Sequence, residues 1–458
     1  MSLHLPRGVL VYGLGRSGSA TLELLTNQLV HAVYFDAKPT GPDIQRADAA
    51  GVRRVSAAEL EGDLTDTLRE YSLCIAAPGV PIDNPHLQAL RAAGIPVIGE
   101  VEWVWRTVPG CYVGITGTAG KGTVTRWTTD VLVGAGVKAV AGGNIDPALA
   151  QVALLGATHV VEMSSFQLER VADFAPDVAV VLNLGEDHLD RHGDVEAYHA
   201  AKHRLIENLT ERSTLVLNLD DPKVAAWASG SEANVRGYSL TRPAAAHLRQ
   251  DGYLYLDDEP VIHRSELQVR GDHQVSNALA VALAVQAMGA GDDALAQGLR
   301  DFAGLPGRYA SVGNVGNIEF IEDSIATRPL AVAAALRSTP RPLVWLAGGQ
   351  DKGADLGSLR ELVKERVDLL IAYGASAQLL AATYSDCTQV QVVTEPKGEA
   401  ALAQAVDLAV EHLSTFHGGA GTVLLAPLAA SFDQFKDYAH RAKVFRAQVA
   451  RLKAESVA

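Results

Sequence analysis

Gly114-Ile115-Thr116-Gly117-Thr118-Ala119-Gly120-Lys121-Gly122-Thr123 is a glycine-rich turn ending in lysine, set between an apolar run and a helical pattern. Cys111 to Ile115 alternates like the end of a strand, and Thr123 to Val133 has helical spacing. A strand, a glycine turn and a helix N-terminus in this order aim backbone N–H groups at one point, where an anion is held. Lys121 then reaches the outer phosphates of a nucleotide. The glycines fall as G-x-x-G-x-x-G-K rather than G-x-x-x-x-G-K-[ST], because Ile115 stands at that pattern's first glycine and Gly122 at its hydroxyl. A turn that only joined strand to helix would not need three spaced glycines followed by Lys and Thr.

Working outward, the alternation of short β-rich runs with helical patterns continues on both sides. Before the turn come Val9–Tyr12, Ser17–Leu25, Ala32–Asp36, Leu73–Ala76 and Asn84–Ala93, which read as βαβ units on a parallel sheet. A helix over 101–105 leads to a Pro109-Gly110 break. After the turn come strands at His159–Met163, Asp177–Asn183 and Thr214–Leu217, and a long helix over Gln274–Met288, ended by Gly304-Leu305-Pro306-Gly307. Ile318–Glu322, Pro342–Ala347, Val367–Ala372, Val390–Val393 and Thr422–Ala426 then alternate with helices again. The expected fold is α/β in three domains: a Rossmann-like unit over 1–109, a P-loop ATPase-like unit over 110–307 and a second Rossmann-like unit over 308–458. A chain of 458 residues is too long for one core and agrees with that division.

Composition narrows the function. Hydrophobic content of 48% with 20% charged residues describes a globular protein. A net charge of −14 spread along the chain argues against nucleic-acid and anionic-membrane surfaces, while leaving room for a local basic pocket. No run of about 18 apolar residues and no secretory pattern is present, so a soluble, cytoplasmic protein is expected. Cys74, Cys111 and Cys387 are too few and scattered for a disulfide framework or a cysteine metal site.

Other constellations sit where strands end. Gly13-Leu14-Gly15-Arg16-Ser17-Gly18 opens a helix, and Asp36 ends the next strand; alone this is a dinucleotide fingerprint, but the same turn holds any diphosphate. Glu162 closes a buried strand and is followed by Ser164 and Ser165, so the carboxylate suits a hard cation while either serine caps a helix. His188, His192, His199 and His203 form two i, i+4 pairs, a zinc spacing that no cysteine or H-E-x-x-H arrangement supports. Lys202, by composition, is a surface lysine. Glu322–Thr327, Gly348–Lys352 and Ala426–Phe435 each begin where a strand ends and read jointly as a small-substrate pocket.

Over nearly its whole length the chain resembles the Mur ligase family. The motifs are Thr116–Thr123, Glu162-x-Ser164-Ser165-Phe166-Gln167-Leu168, Asn183-x-x-Glu186-Asp187-His188-x-Asp190-Arg191, Ala201-Lys202, His273-x-x-x-Asn277-Ala278, Leu305-Pro306-x-Arg308, Asp323-Ser324-x-Ala326-Thr327 and Ser431-x-Asp433-Gln434-Phe435. The last two, with Asp351-Lys352, favour the D-glutamate-adding members. The resemblance implies an ATP-dependent ligase of peptidoglycan precursor synthesis whose partners are the small molecules ATP, UDP-N-acetylmuramoyl-L-alanine and D-glutamate. It implies ATP binding by Gly117, Thr118, Gly120, Lys121, Gly122, Thr123, Asn277, Arg308 and Asp323. Mg2+ falls to Glu162, His188 and Lys202 carried as a carbamate, with Thr123 as a further hydroxyl. These imply catalytic roles for Lys121, Glu162, His188 and Lys202. Gly15, Arg16, Ser17, Asp36, Lys38 and Asn144 take the acceptor, and Thr327, Lys352, Ser431 and Tyr438 take D-glutamate. A monomer is expected.

The chain departs from the family pattern at Ala119, where asparagine is usual, and at Gly122, where a hydroxyl is usual. Ile325, Arg328, Tyr438 and Lys38 are further departures, standing where lysine, asparagine, phenylalanine and arginine are common. Rival readings are a Mur-fold binding or regulatory protein that lost ligation, for which Gly122 speaks, another Mur or folylpolyglutamate-type ligase, and an NAD-linked oxidoreductase using Gly13–Gly18.

Overall fold

The computed structural model describes residues 6–61, 70–305, 307–351 and 353–457; Lys352 and Pro306 of the motifs above lie outside them. Among the described residues there are three sheets, of five, nine and six strands. The first is ordered Arg53–Arg54, Ala32–Phe35, Val9–Tyr12, Leu73–Ala76, Val97–Ile98, all parallel. Tyr12 pairs with Phe35 on one side and Ala76 on the other, so Gly13, Asp36 and Ala77 leave the sheet at one level. The Val9–Tyr12 strand is buried throughout, as a parallel strand covered on both faces requires.

The nine-stranded sheet has Cys111–Thr116 between Val178–Val181 and Thr158–Glu162, with Ala139–Gly143 at one edge. Its parallel part continues through Thr214–Asn218, Asn234–Ser239 and Ala246–Leu248, after which Tyr253–Leu256 and Glu259–His263 add antiparallel. The Val178–Val181 side chains are at most 1% exposed. Burying an aliphatic side chain this fully contributes about 1.5–3 kcal/mol. One apolar cluster joins Val101 and Val104 of helix Glu100–Thr107, with Val108 just after it, to Tyr112, Val161 and Val181 of the nine-stranded sheet and to Phe174. The first two sheets accordingly fall in one compact unit, residues 1–266 with 276–301.

The second compact unit, residues 267–275 with 302–458, holds the six-stranded sheet. Its order is Ala310–Val315, Asn317–Glu322, Ala420–Leu425, Leu343–Gly348, Leu369–Tyr373, Gln389–Val392. Only the first pairing is antiparallel. Glu322 pairs with Leu425, which sets Asp323 and Ala426 level at the carboxyl edge. Among the described residues no helix is long and apolar enough to cross a membrane.

Candidate active site

The glycine-rich turn is shaped by its register. Thr116 pairs with Val181, so Gly117 and Leu182-Asn183 leave the sheet side by side. Asn183 then holds the turn twice: its Oδ1 accepts from the Ala119 amide at 2.8 Å and its Nδ2 donates to the Ala119 carbonyl at 3.1 Å. Thr118 Oγ1 accepts from the Gly185 amide at 2.9 Å and from the Tyr198 hydroxyl at 3.3 Å. The helix begins at Lys121, two residues earlier than its apolar spacing predicts, because Gly120 caps it with a φ of 86°. A Cβ on Gly120 would sit 2.9 Å from Asn277 Oδ1, so glycine is needed there for both conformation and space. The same contact brings Asn277 to the turn.

Two lysines meet at this turn. Lys121 Nζ donates to the carbonyls of Gly117 and Thr118, at 2.8 and 3.1 Å. Lys202 Nζ donates to the same Gly117 carbonyl at 2.9 Å and lies 4.6 Å from the Tyr198 ring centroid. Lys202 is only 1% exposed, which corrects its reading as a surface lysine. Helix Val195–His203 packs Tyr198, Ala201 and Lys202 inward as one face. Burial holds the Lys202 amine well below the usual lysine range, and the Lys121 cation lowers it further against the opposing pull of Asp187 and Glu162.

Glu162 is 4% exposed and pairs in register with Ile115 on one side and Gly143 on the other. Its Oε1 accepts from Asn144 Nδ2 at 2.7 Å. The Asn144 carbonyl accepts from Arg16 Nη2 at 2.7 Å, which ties the first glycine turn to the strand end carrying Glu162. Ser164 is the helix cap, with Gln167 completing a capping box, so the Ser164 cap and an available Glu162 carboxylate coexist. His188 has a φ of 53°, uncommon outside glycine, and its ring centroid lies 4.7 Å from that of Phe166. Of the other histidines in the zinc spacing, His192 faces Ser165 and Glu169, His199 the Gly185 carbonyl and His203 Glu207. Among the described residues no three His, Cys, Asp or Glu side chains come together as a metal cage. Magnesium held by one or two carboxylates and substrate phosphates needs no such cage, so its absence leaves the Glu162 carboxylate chemically suited to that ion.

At the first sheet's edge the Leu14 amide donates to Asp36 Oδ2 at 2.7 Å, and the Lys38 amide to Asp36 Oδ1 at 2.8 Å. A Cβ on Gly18 would fall 1.8 Å from the Gly13 carbonyl oxygen, whereas one on Gly15 would meet nothing within 4 Å. Gly18 therefore serves helix packing, and Gly15 leaves open space over the helix start, as an approaching phosphate requires. Ser17 Oγ donates to Glu100, whose other oxygen accepts from the Ala150 amide at 2.7 Å; burial pushes this carboxyl up.

In the second unit, Asp323 stands beside Ser324 at the end of its strand, its carboxyl pushed up to about 7 by burial. Arg308, near Gly307 with its φ of 82°, is partly exposed, as is Thr327; Ser431 is buried and Tyr438 half exposed. Gln350 and Ala430 exchange backbone hydrogen bonds at 2.8 and 3.0 Å, which joins the loop leading to Lys352 to the one carrying Ser431. Sequence reading missed Arg441. It is fully buried and donates to the carbonyls of Gly348, Ala429 and Ser324, one from each loop of this edge. Nothing in the spacing marks it, since an arginine in an amphipathic helix reads as a surface residue. Tyr198 and Asn183 were likewise absent from the expected site residues, although Asn183 opens a motif singled out above.

Three family models match the chain: a Mur ligase MurD-like N-terminal domain over residues 7–99, a Mur ligase middle domain over 115–285 and a Mur ligase glutamate ligase domain over 307–426. The UDP-N-acetylmuramoylalanine–D-glutamate ligase of Thermus thermophilus is 42% identical over 452 residues, covering 97% of this chain and 98% of the relative. Its counterpart in Deinococcus radiodurans is 40% identical, covering 98% and 93%. Among solved structures, a pseudomurein peptide ligase type C from Methanothermus fervidus has a TM-score of 0.62 at 19% identity, covering 97% of this chain and 100% of that one. A MurF ligase from Thermotoga maritima in complex with ADP has a TM-score of 0.61 at 17% identity, covering 92% and 95%. These structural likenesses bear on the fold.

Proposed function

The chain belongs to the Mur ligase family, and on that premise we propose that it is an ATP-dependent ligase adding D-glutamate to UDP-N-acetylmuramoyl-L-alanine in peptidoglycan precursor synthesis. What carries the reading is the near full-length likeness to ligases of that name. The convergence of Lys121 and Lys202 on the Gly117 carbonyl supports it, because a lysine cation for phosphate and a buried second amine open to modification then share one strand end. The domains run 1–109 for the acceptor, 110–307 for ATP and 308–458 for D-glutamate. The protein acts as a cytoplasmic monomer.

The alanyl carboxylate of the acceptor attacks the γ-phosphorus of ATP in line, the bond to the β–γ bridging oxygen breaks, and an acyl phosphate and ADP form. The D-glutamate amine then attacks the acyl carbon, loses a proton, and phosphate leaves with the electron pair of the C–O bond. Magnesium, when bound, neutralises phosphate charge. Glu162 and His188 would hold it, with Lys202 as a carbamate and Thr123 as a further hydroxyl. Lys121 and the amides of 117–123 meet the phosphates, and Asn277, Arg308 and Asp323 contact the nucleotide. Gly15, Arg16, Ser17, Asp36, Lys38 and Asn144 place the acceptor, and Thr327, Lys352, Ser431 and Tyr438 place D-glutamate. No side chain is a nucleophile; positioning and charge do the catalysis. The deciding assay is ADP release, expected only when both acceptor and D-glutamate are present. Release that ignores either would reject the ligase.

Two further results are expected. Lys352→Ala should raise the Michaelis constant for D-glutamate about tenfold or more, the loss of a charge-assisted hydrogen bond, while leaving that for ATP near its original value. Equal effects on both would assign Lys352 elsewhere. Gly122 is a buried residue in the first turn of its helix. Gly122→Ser should lower the magnesium concentration for half-maximal activity by restoring a hydroxyl at the metal. An unchanged or higher requirement would leave that ligand role to Thr123 or water.

A further inference from the structure

Arg170 is 2% exposed, yet only its Nη2 has a hydrogen-bond partner; Nε and Nη1 are buried without one among the described residues. Nη2 donates to the carbonyl of Val80, in the turn that follows strand Leu73–Ala76. Arg191 Nη2 donates to the same carbonyl at 3.0 Å and pairs with Glu169 Oε2 at 2.8 Å. The Arg191 guanidinium lies 4.6 Å from the centroid of the Phe166 ring, which in turn faces His188. On the other side of the turn, a Cβ on Gly13 would be 3.0 Å from Ala77 Cβ and 3.1 Å from Val80 Cγ2. The Ala77–Val80 turn is thus the floor on which the first glycine turn rests, and two arginines of the nine-stranded part hold it from below.

Stability does not account for Arg170. Burial pushes its guanidinium down to about 10, with the Arg191 cation adding to the effect, and two of its nitrogens go unanswered among the described residues. Replacing buried ionic groups by well-packed apolar side chains of similar volume is often neutral or stabilising, and a charge this poorly met has little to lose by it. We propose that Arg170, with Arg191, is a positioning residue for acceptor binding: the pair pins the Val80 carbonyl and so fixes the Gly13–Ser17 turn relative to the strand end that carries Glu162. This rests on the assignment of the acceptor to that turn.

The test measures the dissociation constants of UDP-N-acetylmuramoyl-L-alanine and of magnesium–ADP by calorimetry, with melting temperature, in Arg170→Met, Arg170→Lys and Gly15→Val. Arg170→Met should weaken acceptor binding about tenfold, as expected when a charged hydrogen bond no longer holds the turn. It should keep magnesium–ADP affinity within about twofold and leave the melting temperature unchanged or raised. Arg170→Lys, which retains one donor, should recover part of the affinity. Unchanged acceptor affinity in Arg170→Met overturns the proposal, as does a parallel loss for both ligands with a lowered melting temperature. Gly15→Val separates the two levels, since its side chain enters open space. If it abolishes acceptor binding while Arg170→Met does not, the clamp fails and the acceptor site stands. If neither variant changes acceptor affinity, both fall.

Discussion

Lys121→Ala should lower the ligation rate by about three orders of magnitude, the scale seen when a cation facing a transferring phosphoryl group is removed. The fold should survive. Lys121 sits in the first turn of a 14-residue helix, and its ammonium is answered in part by the Gly117 and Thr118 carbonyls, partners that water can replace when the chain is truncated. The folded turn itself is held by Asn183, which the substitution leaves in place. A second consequence separates this lysine from a generic charge. The Lys121 cation is, after burial, the largest cause lowering the Lys202 amine, so removing it should make Lys202 easier to protonate. Lys121→Ala should therefore react less readily with carbon dioxide at Lys202 than the parent protein, as read by carbon-13 NMR under labelled bicarbonate. Near-normal turnover would sink the assignment.

Legibility in the sequence followed burial. Val178–Val181 and Leu343–Gly348 are buried on both faces, so their apolar runs announce parallel strands, and the alternation with helices gives the sheet type. The extension Ala246–His263 gave no comparable signal. Its strands are short and half buried, and its Asp257-Asp258 turn takes φ values of 50° and 68° without the glycine or asparagine that advertises a hairpin. Ala310–Val315 is an edge strand of mostly half-exposed residues with a break in register at Ser311–Gly313, which no apolar period marks. Among the site residues, Gly120 and Lys121 were readable because a phosphate turn constrains its own local sequence. The burial of Lys202 was not, since it comes from packing against the Gly117 turn 85 positions earlier in the chain. Arg441 and Arg170 were invisible for the same reason: each is defined by carbonyls it meets from distant loops.

Lys202→Ala should be inactive, and partly rescued by a short carboxylic acid such as acetate or formate. A lysine in water is protonated at neutral pH, and an ammonium neither reacts with carbon dioxide nor ligates a cation. The protein environment changes that. Lys202 is buried, and burial comes first and the neighbouring Lys121 cation second in disfavouring its proton. A neutral amine beside Gly117 can attack carbon dioxide through its lone pair, forming an N–C bond and releasing a proton, and the resulting carbamate offers two anionic oxygens of the kind magnesium prefers. The Tyr198 ring and the Gly117 carbonyl, which face the amine, would then face an anion, so the carbamate must turn toward cations, and Lys121 is one. Alanine leaves a space the size of the lysine chain, which a small carboxylate can enter with its oxygens at the same place. Propionamide, of similar size but uncharged, should not rescue. Full activity of Lys202→Ala without added acid, or equal rescue by the amide, would remove the carbamate from the mechanism.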